Sequence, residues 1–155
     1  MVRTPAQTST TTVALSTTRP STTRPSTTRP STTPAPTSRP TGGQQITVTP
    51  DNGLRSPQTV LVKARGFSPN EVLVVNECAA KGQKTGPGDC NLSAMQTVTS
   101  DASGRVVVQF SVVRGPFGSN HVVCGPAQAC LVSVSQASFS PTQQASTRIY
   151  FAPAG

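Results

Sequence analysis

Arg105-Val106-Val107-Val108-Gln109-Phe110-Ser111-Val112 is the stretch on which the fold turns. Val106, Val108, Phe110 and Val112 alternate with Arg105, Val107, Gln109 and Ser111. A period of two puts the first set on one face of an extended strand, and the β-branched residues suit a half-buried sheet. The same rhythm lies upstream, where Val60, Val62 and Ala64 alternate with Thr59, Leu61 and Lys63, and downstream, where Cys130, Val132 and Val134 alternate with Leu131, Ser133 and Ser135. Val72-Leu73-Val74-Val75 is apolar throughout, which predicts a strand covered on both faces. Turn chemistry separates these runs at Pro50-Asp51-Asn52-Gly53, Gly66-Phe67-Ser68-Pro69-Asn70 and Asp101-Ala102-Ser103-Gly104. No window carries a 3.6-residue apolar stripe. Roughly seven short strands in about 110 residues predict an all-β, immunoglobulin-like antiparallel sandwich.

Composition divides the chain in two. Residues 1–44 hold five arginines (Arg3, Arg19, Arg24, Arg29 and Arg39) and no acid, aromatic or cysteine, so the net charge of +8 splits into +5 there and +3 over residues 45–155. The high basicity is therefore mostly a property of the first segment, and it does not mark the domain as a nucleic-acid binder. Thr17-Thr18-Arg19-Pro20, Ser21-Thr22-Thr23-Arg24-Pro25 and Ser26-Thr27-Thr28-Arg29-Pro30 form a five-residue repeat, too short for a solenoid unit. Proline fixes its own φ and pushes the preceding residue toward extended backbone, so the segment favours polyproline II and disorder. Apart from Met1, its sizeable apolar side chains are Val2, Val13 and Leu15, too few to offset the entropy of ordering. It reads as a spacer, with the Ser/Thr/Pro composition of an O-glycosylated stalk or of an unmodified linker. Its arginines suit loose contact with an anionic cell-wall polymer. Near the start only Val13-Ala14-Leu15 is apolar, short of the about 7–15 residues of a signal-peptide core. A removed leader or an upstream start is the expectation.

Cys78, Cys90, Cys124 and Cys130 admit three pairings. The stretches between the first two and between the last two are rich in Gly, Pro and Ala, as tight closed loops require, which favours Cys78–Cys90 and Cys124–Cys130. A four-cysteine zinc site is the competing arrangement, but neither pair has the short spacing that sets two thiolates on one ion. Disulfides argue for an oxidising compartment. His121, the single histidine, precedes Val122 and Val123 and reads as a residue on a strand face or hairpin rather than a catalytic base. No G-x-S-x-G elbow or phosphate-binding glycine loop is present. Glu77 beside Cys78 and Asp89 beside Cys90 would reach one rim through a disulfide. A paired-carboxylate site is thinly supplied in a chain with five acids, and ion pairing with Lys81, Lys84 or solvent is the expected role.

A family resemblance rests on particular residues. Ile46-Thr47-Val48-Thr49-Pro50 leads into Gly53-Leu54, Val60 to Val62 and Gly66-Phe67. Asn76-Glu77-Cys78-Ala79-Ala80 follows, then Cys90-Asn91, Val98-Thr99, the 101–104 turn, Cys124, Ala129-Cys130-Leu131-Val132 and a last strand through Phe151. In order and spacing this resembles the neocarzinostatin family, the apoproteins of enediyne antitumour chromoproteins of actinomycetes. The resemblance implies a seven-stranded immunoglobulin-like barrel, a smaller ribbon lobe, and a cleft between them that holds an apolar, labile enediyne without covalent bonds. Any DNA damage is then done by the released small molecule. Positions implied to line the cleft are Ala80, Met95, Phe117, Leu131, Ser133 and Ser135. The chain departs from the family at Ala80 and Met95, where large aromatics are expected, in lacking Trp, and in a shorter hairpin between Arg114 and Cys124.

The expectations follow. Residues 1–44 form a spacer and residues 45–155 a secreted or cell-envelope domain without catalytic residues, metal or cofactor beyond a non-covalent apolar chromophore. It is monomeric, with no membrane span and no direct DNA contact. The alternative is an immunoglobulin-like interaction module presented on a glycosylated stalk at the cell envelope.

Overall fold

A computed structural model describes residues 43–153. The expected spacer therefore lies outside the described residues, except for Gly43 and Gln44. Seven strands follow in order: β1 (Gln45–Thr49), β2 (Gln58–Arg65), β3 (Val72–Ala79), β4 (Gln96–Thr99), β5 (Val106–Val112), β6 (Cys130–Gln136) and β7 (Gln144–Ile149). They form a three-stranded sheet, β1-β2-β5, and a four-stranded sheet, β4-β3-β6-β7, with every strand pairing antiparallel. This is the sandwich that the alternation predicts.

The register explains the core. Val60 lies opposite Phe110 and Val62 opposite Val108, so the apolar sets of β2 and β5 share the inner face. In the second sheet Leu73 and Val75 of β3 and Val132 and Val134 of β6 supply the facing layer, with Ile149 from β7, and all five are buried. A residue on β2 that points away, such as Lys63, is exposed. Burial of one face per strand is the main stabilising force, roughly 1.5–3 kcal/mol for each fully covered Val, Leu, Ile or Phe.

β3 differs from its sequence reading. Val72 is 49% exposed and Val74 half-buried, so the apolar run is not covered on both faces. Double coverage begins at Val75 and runs through Ala79, because the chain after β3 folds back over that end of the strand. Leu73, Val75 and Ala79 belong to the inner face, and Glu77 shares their phase.

The turn residues act as their chemistry demands. The Asp101 carboxylate accepts from the Ser103 and Arg105 N–H groups (2.7 and 2.9 Å), and those bonds, Arg105 first, hold its carboxyl below the usual range. Gly104 has φ +70°, and a Cβ there would collide with the Phe67 carbonyl, so only glycine lets the 66–70 and 101–104 turns meet. Ser100 ties the same end together. Its hydroxyl donates to Ser68 O (2.6 Å) and accepts from Glu71 N (2.9 Å).

Candidate functional site

Beyond β3 the chain builds a small lobe. Residues 80–95 carry three single-turn 3-10 segments, Gly82–Lys84, Pro87–Asp89 and Leu92–Ala94. Cys78–Cys90 closes this loop, with Cα atoms 4.0 Å apart, and Cys124–Cys130 closes a second, with Cα atoms 5.6 Å apart. Both pairings agree with the sequence expectation. In the second loop Gly125 and Gln128 exchange backbone hydrogen bonds, and Ala80 N donates to Ala129 O (2.7 Å), joining the two loops. The lobe's other arm is a short hairpin after β5, in which Phe117 and Val122 exchange bonds of 3.0 and 2.8 Å. The strand expected at Val122 and Val123 reduces to this single bridge. His121 stands exposed beside it with φ +50°.

Asp89 fastens the two arms together. Its carboxylate accepts from the Gly86 N–H (3.0 Å), the Lys81 ammonium (2.7 Å) and the Asn120 amide (2.8 Å), while Asn120 N donates to Gly88 O (3.0 Å). These donors, the Gly86 N–H foremost, hold the Asp89 carboxyl far below the usual range. Gly118, φ +67°, lets the hairpin lie directly on the Gly88 and Cys90 carbonyls. Ion pairing with Lys81, one of the sequence expectations for the acids, holds for Asp89.

Glu77 does otherwise. It does not share a rim with Asp89 but turns into the core, fully buried. One carboxyl oxygen, Oε2, accepts from the Val113 N–H at the end of β5 (3.1 Å) and from the Asn91 amide (3.4 Å), and Oε1 has no partner. Burial, against the opposing pull of those two donors, pushes its pKa up to about 7. The phase of the strand carried the signal: Glu77 is two residues on from Val75 and four from Leu73.

The remaining expected site residues gather on the outward face of the four-stranded sheet. Leu131, Ser133 and Ser135 of β6 lie opposite Cys78, Asn76 and Val74 of β3, and opposite Arg148, Ser146 and Gln144 of β7. All three are half-buried. Ala80, half-buried, continues the outward phase of β3 at the root of the lobe. Met95 directly precedes β4, two residues before the outward-phase Thr97, and is 46% exposed. The arrangement is a sheet floor of mixed Leu and Ser character, ending at the disulfide loop. Phe117 is placed differently from the other five. It is buried and packs in the core cluster with Val122 and Cys124, so its ring offers no open stacking face. The aromatic rings that do face solvent are Phe139, in the β6–β7 connection, and Tyr150. An open groove of about 880 Å³ lies elsewhere, against Lys63, Arg65 and Arg105 beside the start of β1. Among the described residues no group of three His, Cys, Asp or Glu side chains is placed to hold a metal ion, and no helix is long and apolar enough to cross a membrane.

The model of the neocarzinostatin family matches residues 46–151. The chain belongs to that family. Neocarzinostatin-family proteins are apoproteins of enediyne chromoproteins and are not themselves catalysts. Among them, macromomycin of Streptomyces macromomyceticus is 34% identical over 97 residues, which is 61% of this chain and 66% of that relative's length. A solved structure of macromomycin superposes with a TM-score of 0.56 at 29% identity, covering 71% of this chain and all of the other. The solution conformation of apokedarcidin gives a TM-score of 0.49 at 21% identity over 71% of this chain and 99% of the other.

Proposed function

We propose that residues 45–155 form a secreted, non-catalytic carrier that holds an apolar, chromophore-like small molecule on the outward face of β3 and β6, against the lobe. One observation carries the reading: Leu131, Ser133 and Ser135 are half-buried on a face that ends at the disulfide loop, with Ala80 and Met95 at its margins. Family membership supports the class of guest. Leu131, Ala80 and Met95 supply apolar contact, and Met adapts its shape to an irregular guest. Ser133 and Ser135 supply hydrogen bonds that fix orientation, the usual division of labour in a small-molecule site. With Phe117 buried, none of the five outward-facing expected residues is aromatic, and shape and the Met95 sulfur take the place of stacking. Any DNA damage belongs to the guest.

Titration of the disulfide-intact protein with a fluorescent polycyclic aromatic probe tests this. Saturable binding is expected, weakened about ten-fold by Leu131→Ala or Met95→Ala, since each removes roughly 1–2 kcal/mol of apolar contact. Phe117→Ala is expected to act through stability instead. No saturable binding, or binding indifferent to Leu131 and Met95, overturns the carrier reading.

A second reading has its own observation, the Thr/Pro/Arg repeat over residues 17–40, for which a freely diffusing carrier has no evident use. In it the domain is an envelope-associated interaction module on a spacer. Recovery of the intact protein from the medium, with none retained by the cell envelope, removes its basis.

A further inference from the structure

Glu77 is the one described side chain with a buried oxygen that nothing satisfies. Its position gives that defect a consequence. The main-chain carbonyl of Glu77 accepts from Asn91 N (2.8 Å), while its side chain accepts from the Asn91 amide and from Val113 N. Asn91 directly follows Cys90 and roots the disulfide arm of the lobe. Val113 directly follows β5 and roots the hairpin arm. A single carboxyl oxygen of the central strand thus receives donors from both arms. We propose that Glu77 is a proton-controlled tether: neutral, it holds the two arms of the lobe to β3, and on ionisation it loosens them.

The physics runs through the unpartnered oxygen. A carboxylate spreads its charge over both oxygens, so ionisation puts about half a charge on Oε1, buried without a donor. The neutral acid carries far less of that penalty, and for this reason burial favours it. No cation offsets the charge. On the loop, Lys81 and Asp89 pair with each other and Lys84 is exposed. After β5, the Arg114 guanidinium donates to Ala152 O and lies over the Phe151 ring. His121 at the hairpin and Arg148 on β7 are exposed, and β6 presents Val132 opposite Glu77. Both donors on Oε2 favour the ionised form, but burial outweighs them. The ionised group therefore gains by letting water reach Oε1, and in this proposal the Asn91 and Val113 contacts part to admit it.

The sign follows from the raised pKa. Relative to a freely hydrated Glu, the contribution is complete below about pH 4.5 and is lost as pH rises through about 7. An opening that restores an ordinary carboxyl is favoured about 30-fold more at pH 8.5 than at pH 5.5. A looser grip on a guest in alkaline solution also follows, and that consequence rests on the carrier reading; the tether does not.

The experiment uses the full, oxidised chain without ligand. Carboxyl carbon NMR, assigned by difference from Glu77→Gln, is expected to show Glu77 titrating near pH 7. Amide exchange at Val113 and Asn91, corrected for intrinsic base catalysis, is expected to lose about 30-fold in protection between pH 5.5 and 8.5, with Val62 in β2 little changed. In Glu77→Gln, which keeps an oxygen for both donors, the loss is expected to vanish. Titration near pH 4.5 overturns the proposal. So does titration near 7 with unchanged protection at Val113 and Asn91, or with an equal loss at Val62. Should Glu77→Gln fail to fold, the wild-type titration and exchange still decide. A fluorescent polycyclic probe that binds at no pH removes the carrier reading alone; one that binds equally at pH 5.5 and 8.5 despite loosened amides removes only the link between tether and grip.

Discussion

Single residues set how closely the lobe can be built. Gly118 and Gly53 share nearly the same backbone, φ +67° and +62°, but differ in surroundings: a Cβ on Gly118 meets the Gly88 carbonyl, whereas one on Gly53 meets nothing within 4 Å. Gly118→Ala is therefore expected to cost about 2–4 kcal/mol, from left-handed strain plus displaced backbone, and Gly53→Ala only about 1 kcal/mol from strain alone. Urea midpoints of the two variants give the comparison. Little of this was legible in advance. The glycines announce turns, but which turn touches which backbone depends on the disulfide bringing residues 88–90 beneath the hairpin. Glu77 was legible and misleading: its proximity to Cys78 suggested a rim, while its alternation with Leu73 and Val75 already assigned it to the core.

At the scale of elements, alternation read β2, β5 and β6 directly, because each has one wet and one dry face and the core selects the apolar set. β3 was harder. Its most apolar residues lie at the end that is open on one side, and its doubly covered end, Val75 to Ala79, contains Asn76 and Glu77. Cover there comes from a loop whose path is fixed by a crosslink, and no strand periodicity can express that. The same applies to the candidate site, where five expected residues share the outward face but Phe117 belongs to the core. The two bridges differ in the chain they enclose, with separations of 12 and 6 residues. In the chain-entropy account, removing Cys78–Cys90 by double serine substitution is expected to cost about 3 kcal/mol and removing Cys124–Cys130 about 2 kcal/mol. Denaturation of each double variant at pH 5 measures both, and an inverted order would show that native-state contacts rather than loop length govern their worth.

For the whole molecule, hydrogen-bonded Asp89 and Asp101 and the partly unsatisfied Glu77 pull stability in opposite directions. Asp89 and Asp101 sit below their ordinary pKa of 3.8, so what they contribute is present above that value and is lost as pH falls through their folded pKa values. Glu77 contributes in the reverse sense, amounting to about 3 kcal/mol lost between about pH 4.5 and 7. The resistance of the domain to urea is expected to peak near pH 4–5 and to decline toward neutrality. In Glu77→Gln the decline is expected to disappear while the acid limb remains. A wild-type maximum near pH 7 would contradict this account of the core.

Lys81 and Lys84 stand exposed between the two cysteines of the first bridge. A trypsin-like enzyme cutting after Lys84 would divide the polypeptide without dividing the molecule, because the pieces on either side stay joined through sulfur. Such a nicked form gains the mass of one water and runs as a single species until reductant is added, when it parts into two. Digestion under mild conditions should thus yield a two-chain head that remains whole, and the cut would fall in the arm that Asp89 and Asn91 anchor.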